Sequence, residues 1–146
     1  MLVGFRKIID GATCNATATV YSLVTEDNPF KATNSWIDTS LQEAFSLWVN
    51  VASATGTGNV TVYADVSPLT PQEHAMAYTA TSTQYYKSFT LGTIITDNAL
   101  AMYTTNDLVD IVYTPFRSMR IRVVGTASNP TDTVVDAYLV TSATRI

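Results

Sequence analysis

The stretch Asn59-Val60-Thr61-Val62-Tyr63-Ala64-Asp65-Val66 decides the fold. Val60, Val62, Ala64 and Val66 fall on one side of an extended chain, and Thr61, Tyr63 and Asp65 on the other. That period of two marks a half-buried strand. Upstream, Ala44 to Ala54 repeats it, with Phe45, Leu47, Val49 and Val51 on one face and Trp48 opposite. Thr55-Gly56-Thr57-Gly58 lies between them and has the length and glycine content of a hairpin turn, so the two segments are expected to pair. Downstream, Ser67-Pro68-Leu69-Thr70-Pro71 ends the unit. Pro71 to Ala77 is expected to form one short helical turn, since proline suits a helix start.

The same alternation recurs outward in both directions. Toward the N-terminus, Leu2 to Ile9 and Ala16 to Thr25 read as strands, and Glu26-Asp27-Asn28-Pro29 as a turn. Lys31 to Gln42 is polar and irregular and reads as a long connection. Toward the C-terminus, Gln84 to Leu91, Gly92 to Thr96, Leu100 to Thr104 and Leu108 to Thr114 read as extended segments, the last stopped by Pro115. Phe116 to Thr126 sets Met119, Ile121 and Val123 against Arg120 and Arg122. After the turn Ala127 to Asp132, Thr133 to Ser142 is the last strand, and these two are expected to form a second hairpin.

Composition agrees. Thr occurs 24 times in 146 residues, and β-branched side chains favour strands. Lys is limited to Lys7, Lys31 and Lys87, and Glu to Glu26, Glu43 and Glu73, so helix formers are scarce. The expected fold is all-β: an antiparallel β-sandwich, jelly-roll-like, of about eight strands. The length suits one domain over 1–146, with residues 1–10 an arm or an edge strand used in assembly.

Charge narrows the function. Charged residues are 14% of the chain, against about 25% in an average soluble protein. The net charge of -4 disfavours nucleic acid and polybasic membrane contacts as partners. No apolar run of membrane-spanning length occurs, and the N-terminal Met1-Leu2-Val3-Gly4-Phe5-Arg6-Lys7 has its basic pair after the apolar residues, unlike a secretory signal. Synthesis and folding in a cytoplasm are expected.

Catalytic chemistry finds few residues. Cys14 is the lone cysteine and makes no internal disulfide. His74 is the single histidine, expected as a solvated loop residue; with Cys14 it supplies at most two of the four ligands of a structural zinc site. Asp65, Asp110 and Asp136 lie on strand faces, where any two could approach the about 5 to 9 Å of a glycosidase pair; solvent-facing strand carboxylates are the simpler account. Asp107 and Asp110 lack the dense acids of a calcium loop. No catalytic, cofactor-binding or metal residues are expected, and no enzyme.

Surface aromatics remain. Trp36 lies in the polar connection, while Trp48, Tyr21, Tyr63 and Tyr138 fall on the less apolar strand faces. They could anchor a protein interface or stack on sugars. Arg120 and Arg122 share a face and could form a cross-strand ion network with Asp136, or an intersubunit contact. The interface candidates are therefore Leu2, Phe5, Trp36, Trp48, Arg120 and Arg122.

The closing stretches Met119-Arg120-Ile121-Arg122-Val123-Val124-Gly125-Thr126-Ala127-Ser128-Asn129-Pro130 and Val134-Val135-Asp136-Ala137-Tyr138-Leu139 complete an acidic chain rich in Thr, Ala and Val. The whole resembles small virion proteins of tailed bacteriophages, in particular head decoration (cement) proteins. That resemblance implies a jelly roll or β-sandwich and a homo-oligomer, often a trimer, seated on capsomer junctions. It implies the major capsid protein or other virion proteins as partners, and the virion, assembled in a host cytoplasm, as location. The same closing stretches also look like the last strands of carbohydrate-binding sandwiches, so a glycan-binding module of a phage tail or fibre is the alternative.

Overall fold

Alternation in the sequence becomes two facing sheets. The computed structural model describes residues 2–25, 33–39, 42–76, 85–96, 99–104 and 116–143. In chain order the strands are β1 (Leu2–Thr13), β2 (Thr19–Tyr21), β3 (Val24–Thr25), β4 (Thr33–Asn34), β5 (Ile37–Asp38), β6 (Gln42–Ala52) and β7 (Gly58–Ser67). After the helix α1 (Pro71–Met76) come β8 (Lys87–Thr96), β9 (Ala99–Thr104), β10 (Ser118–Gly125) and β11 (Val134–Ala143).

One sheet has the order β1-β11-β6-β9 and the other β2-β10-β7-β8, all antiparallel, with β5 also on β10. Leaving aside the two-residue β3, β4 and β5, eight strands remain among the described residues, and their pairing is nested. The first pairs the last (β1 with β11), the second the seventh (β2 with β10), the third the sixth (β6 with β9), and the fourth the fifth (β7 with β8). That wrapping is the jelly roll.

The core fills the gap between the sheets. Leu47, Val49 and Val51 of β6 and Val135, Ala137 and Leu139 of β11 face Val60 and Val62 of β7 and Met119, Ile121 and Val123 of β10, all fully buried. The inward faces are those the alternation marks. β1 departs from strict alternation: register shifts between Lys7 and Ile9 and between Ile9 and Ala12 bury both Ile8 and Ile9. Gly11, at φ 58°, supplies the left-handed residue of this irregular stretch. β8 is one strand, with a shift opposite Val62/Tyr63, where two segments were expected. At Gly92 a side chain would strike the Tyr103 hydroxyl at 2.9 Å, so glycine lets β9 approach β8.

Both expected hairpins are corrected. β6 and β7 lie in opposite sheets, as do β10 and β11. A hairpin would set the two valine rows side by side on one face and leave the facing layer empty. The arch sets them opposite one another. The two arches are tied together: Asp132 accepts hydrogen bonds from the Ser53 hydroxyl, the Ala54 amide and the Thr55 hydroxyl at 3.1, 3.0 and 2.8 Å. Asn129 accepts from the Asn59 amide at 2.8 Å and donates to the Cys14 carbonyl at 2.9 Å.

The connection expected over Lys31 to Gln42 contains β4 and β5 and ends in the start of β6. The expected strand Leu108 to Thr114 and the residues Asp107 and Asp110 lie outside the described residues, as does the turn Glu26 to Pro29. The helical turn forms over Pro71–Met76. Thr70 caps it: its hydroxyl accepts from the Glu73 amide at 3.2 Å while the Glu73 carboxylate faces back to Thr70, a capping box with proline in the first turn.

Candidate functional site

The two outward sheet faces differ in kind. On the β2-β10-β7-β8 sheet the register sets Asp65 directly between Arg120 of β10 and Ser88 of β8, with Arg122 opposite both Tyr63 and Tyr21. Asp65 is 0% exposed. Its carboxylate accepts from Arg120 Nε and Nη2 at 3.1 and 2.8 Å, and from Arg122 Nε and Nη2 at 3.2 and 3.3 Å. The Ser88 hydroxyl donates to it as well. A buried carboxylate needs such pairing, because desolvation alone would neutralise it.

Aromatic rings close over the pair. The Arg120 guanidinium lies 4.5, 4.7 and 4.9 Å from the ring centres of Tyr21, Trp36 and Tyr86, and that of Arg122 lies 4.2 Å from Tyr63. Such contacts are cation–π attractions, strengthened by exclusion of water. The His74 imidazole stacks on Trp36 at 4.0 Å with 1° between planes. Ser67 gives its proton to the Tyr85 carbonyl, so its oxygen accepts from His74 Nε2 at 2.9 Å. Nδ1 is then the bare nitrogen, and among the described residues it has no partner. Burial, and then the Arg120 charge, hold the His74 pKa below its ordinary value.

Three sequence expectations are corrected here. His74 is 2% exposed on α1 and not a solvated loop residue, because the Trp36 ring covers it. Asp65 is on the outward face as its parity requires, yet it is sealed by two arginines. The ion partner of Arg120 and Arg122 is Asp65 and not Asp136, since β10 pairs β7 and β11 is in the other sheet. Asp136 instead meets Lys7 at 3.1 Å and accepts from the Gly11 amide at 2.8 Å.

The outward face of the β1-β11-β6-β9 sheet is open. Lys7, Tyr138, Trp48 and Met102 stand in direct register, one from each strand, and form a row across the whole sheet. Phe5, two residues before Lys7, stacks on Tyr138 with ring centres 5.8 Å apart and 18° between planes. Phe5 is 68% exposed and Met102 48%; Tyr138 and Trp48 are half-buried. Of the flanking outward positions on β6 and β11, Ser46, Asn50 and Val140 carry no charge, while Asp136, opposite Asn50, does. Lys7, at the β1 end of the row, meets Asp10 at 2.6 Å and Asp136, on the neighbouring β11, at 3.1 Å.

Of the six interface candidates, Phe5 and Trp48 both lie on this open face, on either side of Tyr138, while Trp36, Arg120 and Arg122 are joined on the opposite one. Leu2 belongs to β1, and its side chain lies outside the described residues. Met102 and Tyr86 were not singled out from sequence. Met102 alternates with Ala101 and Tyr103, a signal that six residues of strand make short. Tyr86 lies just before β8, inside the expected extended segment Gln84 to Leu91, where nothing in the alternation sets it apart from Tyr85.

Burial pushes the Cys14 thiol up from its ordinary pKa, away from the reactive thiolate. Among the described residues no group of three or more His, Cys, Asp or Glu is placed to hold a metal, and no helix is long and apolar enough to cross a membrane.

No protein-family model and no curated protein sequence matches the chain. Solved structures with similar architecture include the exported protein XepA of PBSX, at 12% identity and TM-score 0.49 over 98% of this chain and 38% of that one. A chain of the IBDV viral particle matches at 9% identity and TM-score 0.48, over 97% of this chain and 31% of that one. A family 29 carbohydrate-binding module from Piromyces equi matches at 11% identity and TM-score 0.36, over 99% and 93%. The chain thus spans about a third of the length of the first two. These are likenesses of β-sandwich architecture.

Proposed function

We propose that this chain is a structural virion protein that decorates or cements a phage capsid, binding the assembled shell as an oligomer and carrying out no catalysis. The observation that supports this most is the open face: Phe5, Tyr138, Trp48 and Met102 bring an aromatic or apolar side chain from each of the four strands of one jelly-roll sheet, and the charges beside them, Lys7 and Asp136, are paired with one another. Protein interfaces concentrate Tyr, Trp, Phe and Met at their centre and leave charge to the rim. The opposite face supports the reading by being occupied: its arginines and aromatics are spent on one another around Asp65. A cement protein gains its effect by binding the assembled lattice in preference to free subunits, and a rigid sandwich suits that task. Its partners are then the major capsid protein or other virion proteins, its place is the virion, and the resemblance makes a trimer the first oligomer to consider.

The test is co-sedimentation with assembled shells of the virus that encodes the chain, beside unassembled capsid subunits. Association with shells alone is expected; association with neither contradicts the proposal. A second reading has the same row in its favour. Phe5, Tyr138 and Trp48 on a flat sheet could stack on sugar rings, as a carbohydrate-binding module of a tail or fibre would use them. Saturable binding on a glycan array, lost in Trp48→Ala, would favour it over the shell.

A further inference from the structure

We infer that His74 is an acid-sensitive latch for the segment Ser35 to Thr39: a proton added to its imidazole frees Trp36 from the stack and uncovers Arg120. The segment lies along the edge of β10 that β2 occupies further on, so it can leave while the β10–β7 ladder stays whole. β5 gives it two ladder positions, Ile37 opposite Met119 and Asp38 opposite Ser118. The Ser22 hydroxyl donates to the Ser35 carbonyl at 2.7 Å, and the Thr39 amide to the Arg117 carbonyl at 3.2 Å. The Trp36 ring adds a hold of another kind. It is buried against His74 at 4.0 Å and Tyr86 at 5.8 Å. The Arg120 guanidinium rests on the same ring, and its side chain is 11% exposed while Trp36 lies there.

Hydrogen bonding fixes where the imidazole carries its proton. Ser67 Oγ donates to the Tyr85 carbonyl and accepts the Leu69 amide at 3.1 Å, so toward His74 it can only accept. Nε2 therefore holds the hydrogen, and a second proton must go to Nδ1. That makes a buried donor with no acceptor among the described residues. It also sets a second cation against the indole that Arg120 already uses. The charged and titratable groups around the imidazole come from every packed element. Arg120 of β10 repels the imidazolium, and Glu73 of α1 attracts it. Glu73 is already shared by the Thr70 hydroxyl at 3.1 Å and Arg117, ahead of β10, at 3.0 Å. Asp65 of β7 is held by two arginines, Asp38 of β5 is exposed, and Tyr85 and Tyr86 ahead of β8 are neutral phenols. The indole face draws a cation too, but burial and Arg120 outweigh these attractions. The imidazolium is better accommodated in water, and when it turns out Trp36 loses its stacking partner.

The experiment follows amide hydrogen exchange of the full chain by NMR from about pH 7.5 to about pH 4.5, across the ordinary histidine range. Rates are corrected for the intrinsic effect of pH, and the Thr39 amide reports the segment. Its open population should begin to grow near about pH 6.5 and level off at the midpoint of the His74 imidazole signal. The gain should be up to about tenfold for each pH unit between those two points. Amides in mid-β7 should not follow it. His74→Phe keeps a ring against Trp36 and takes up no proton, so the growth should vanish. His74→Gln serves the same purpose if His74→Phe does not fold. Growth that persists in the variant belongs to a carboxylate such as Glu73 and overturns the inference. Protection at Thr39 that is flat with pH overturns it as well. So does a loss shared equally with mid-β7, which is unfolding of the whole chain.

Discussion

Asp65 and Arg120 stand directly opposite one another on β7 and β10, and the Asp65 carboxylate, with no exposed surface, is held by both Arg120 and Arg122. The pair is the centre of the closed face. Its arginine side chains are 11% and 20% exposed, so water screens the interaction little. Asp65→Ala leaves two cations without their counter-charge in a nearly dry site. The expected loss is about 3 kcal/mol in a urea melt. A loss near 0.5 kcal/mol would be that of an ordinary surface ion pair and would contradict this reading.

His74 is the only histidine, so one imidazole signal in a proton NMR titration reads its pKa directly. The midpoint should fall below the ordinary value of about 6.5. Burial, followed by the charge of Arg120, disfavours the imidazolium in the folded chain. The unfolded chain therefore binds the proton more readily. The contribution to stability is complete above about pH 6.5 and declines as pH falls from there toward the folded pKa. His74→Gln should flatten that part of the melting-temperature profile. A midpoint above 6.5 would mean that the folded chain favours the cation.

Leu47 and Trp48 are neighbours on β6 that point to opposite sides, one into the core and one onto the open face. Leu47→Ala should cost about 3 kcal/mol, since Leu47 is buried among close-packed side chains that cannot collapse fully into the gap. A cost below about 1 kcal/mol would place Leu47 in a loosely filled region.

Asp132 joins the two arches through three acceptor contacts. Its carboxyl is held below the usual carboxylate range, chiefly by the Thr55 hydroxyl; desolvation opposes this, and Ser53 and the Ala54 amide add to the lowering. The tie should therefore persist until pH falls below about 3.9. In Asp132→Ala the Ala54 amide should exchange with deuterium faster, while amides in mid-β7 stay protected. Unchanged exchange at Ala54 would show that the turn holds without this carboxylate.

What the sequence reveals of this fold is parity. Every second residue along β6, β7, β10 and β11 marks the buried side, because an apolar row must face the core and a strand repeats in two. Parity is silent on which sheet a strand joins. Thr55-Gly56-Thr57-Gly58 suits a hairpin as well as an arch, and local turn chemistry does not distinguish them. The choice came from the facing layers, which bring together residues far apart in the chain.

The closed face was less legible than the open one. Tyr138 and Trp48 follow from parity and stand where it puts them. Trp36 and His74 lie in segments without a period, and their burial arises from each other: a stack at 4.0 Å removes both from water. Asp65 shows the limit from the other side. Its outward position was readable, but its burial depends on Arg120, 55 residues further along, being its neighbour across the sheet.

The most direct test of the structural-virion account is the thermal stability of assembled shells of the encoding virus, with and without a saturating amount of the chain. The account predicts a higher disruption temperature when the chain is bound, because a ligand of the intact lattice alone shifts the equilibrium toward it. It also predicts loss of the effect in Trp48→Arg. Shells that bind the chain and come apart at an unchanged temperature would contradict a cement role, and shells that do not bind it would contradict the account as a whole.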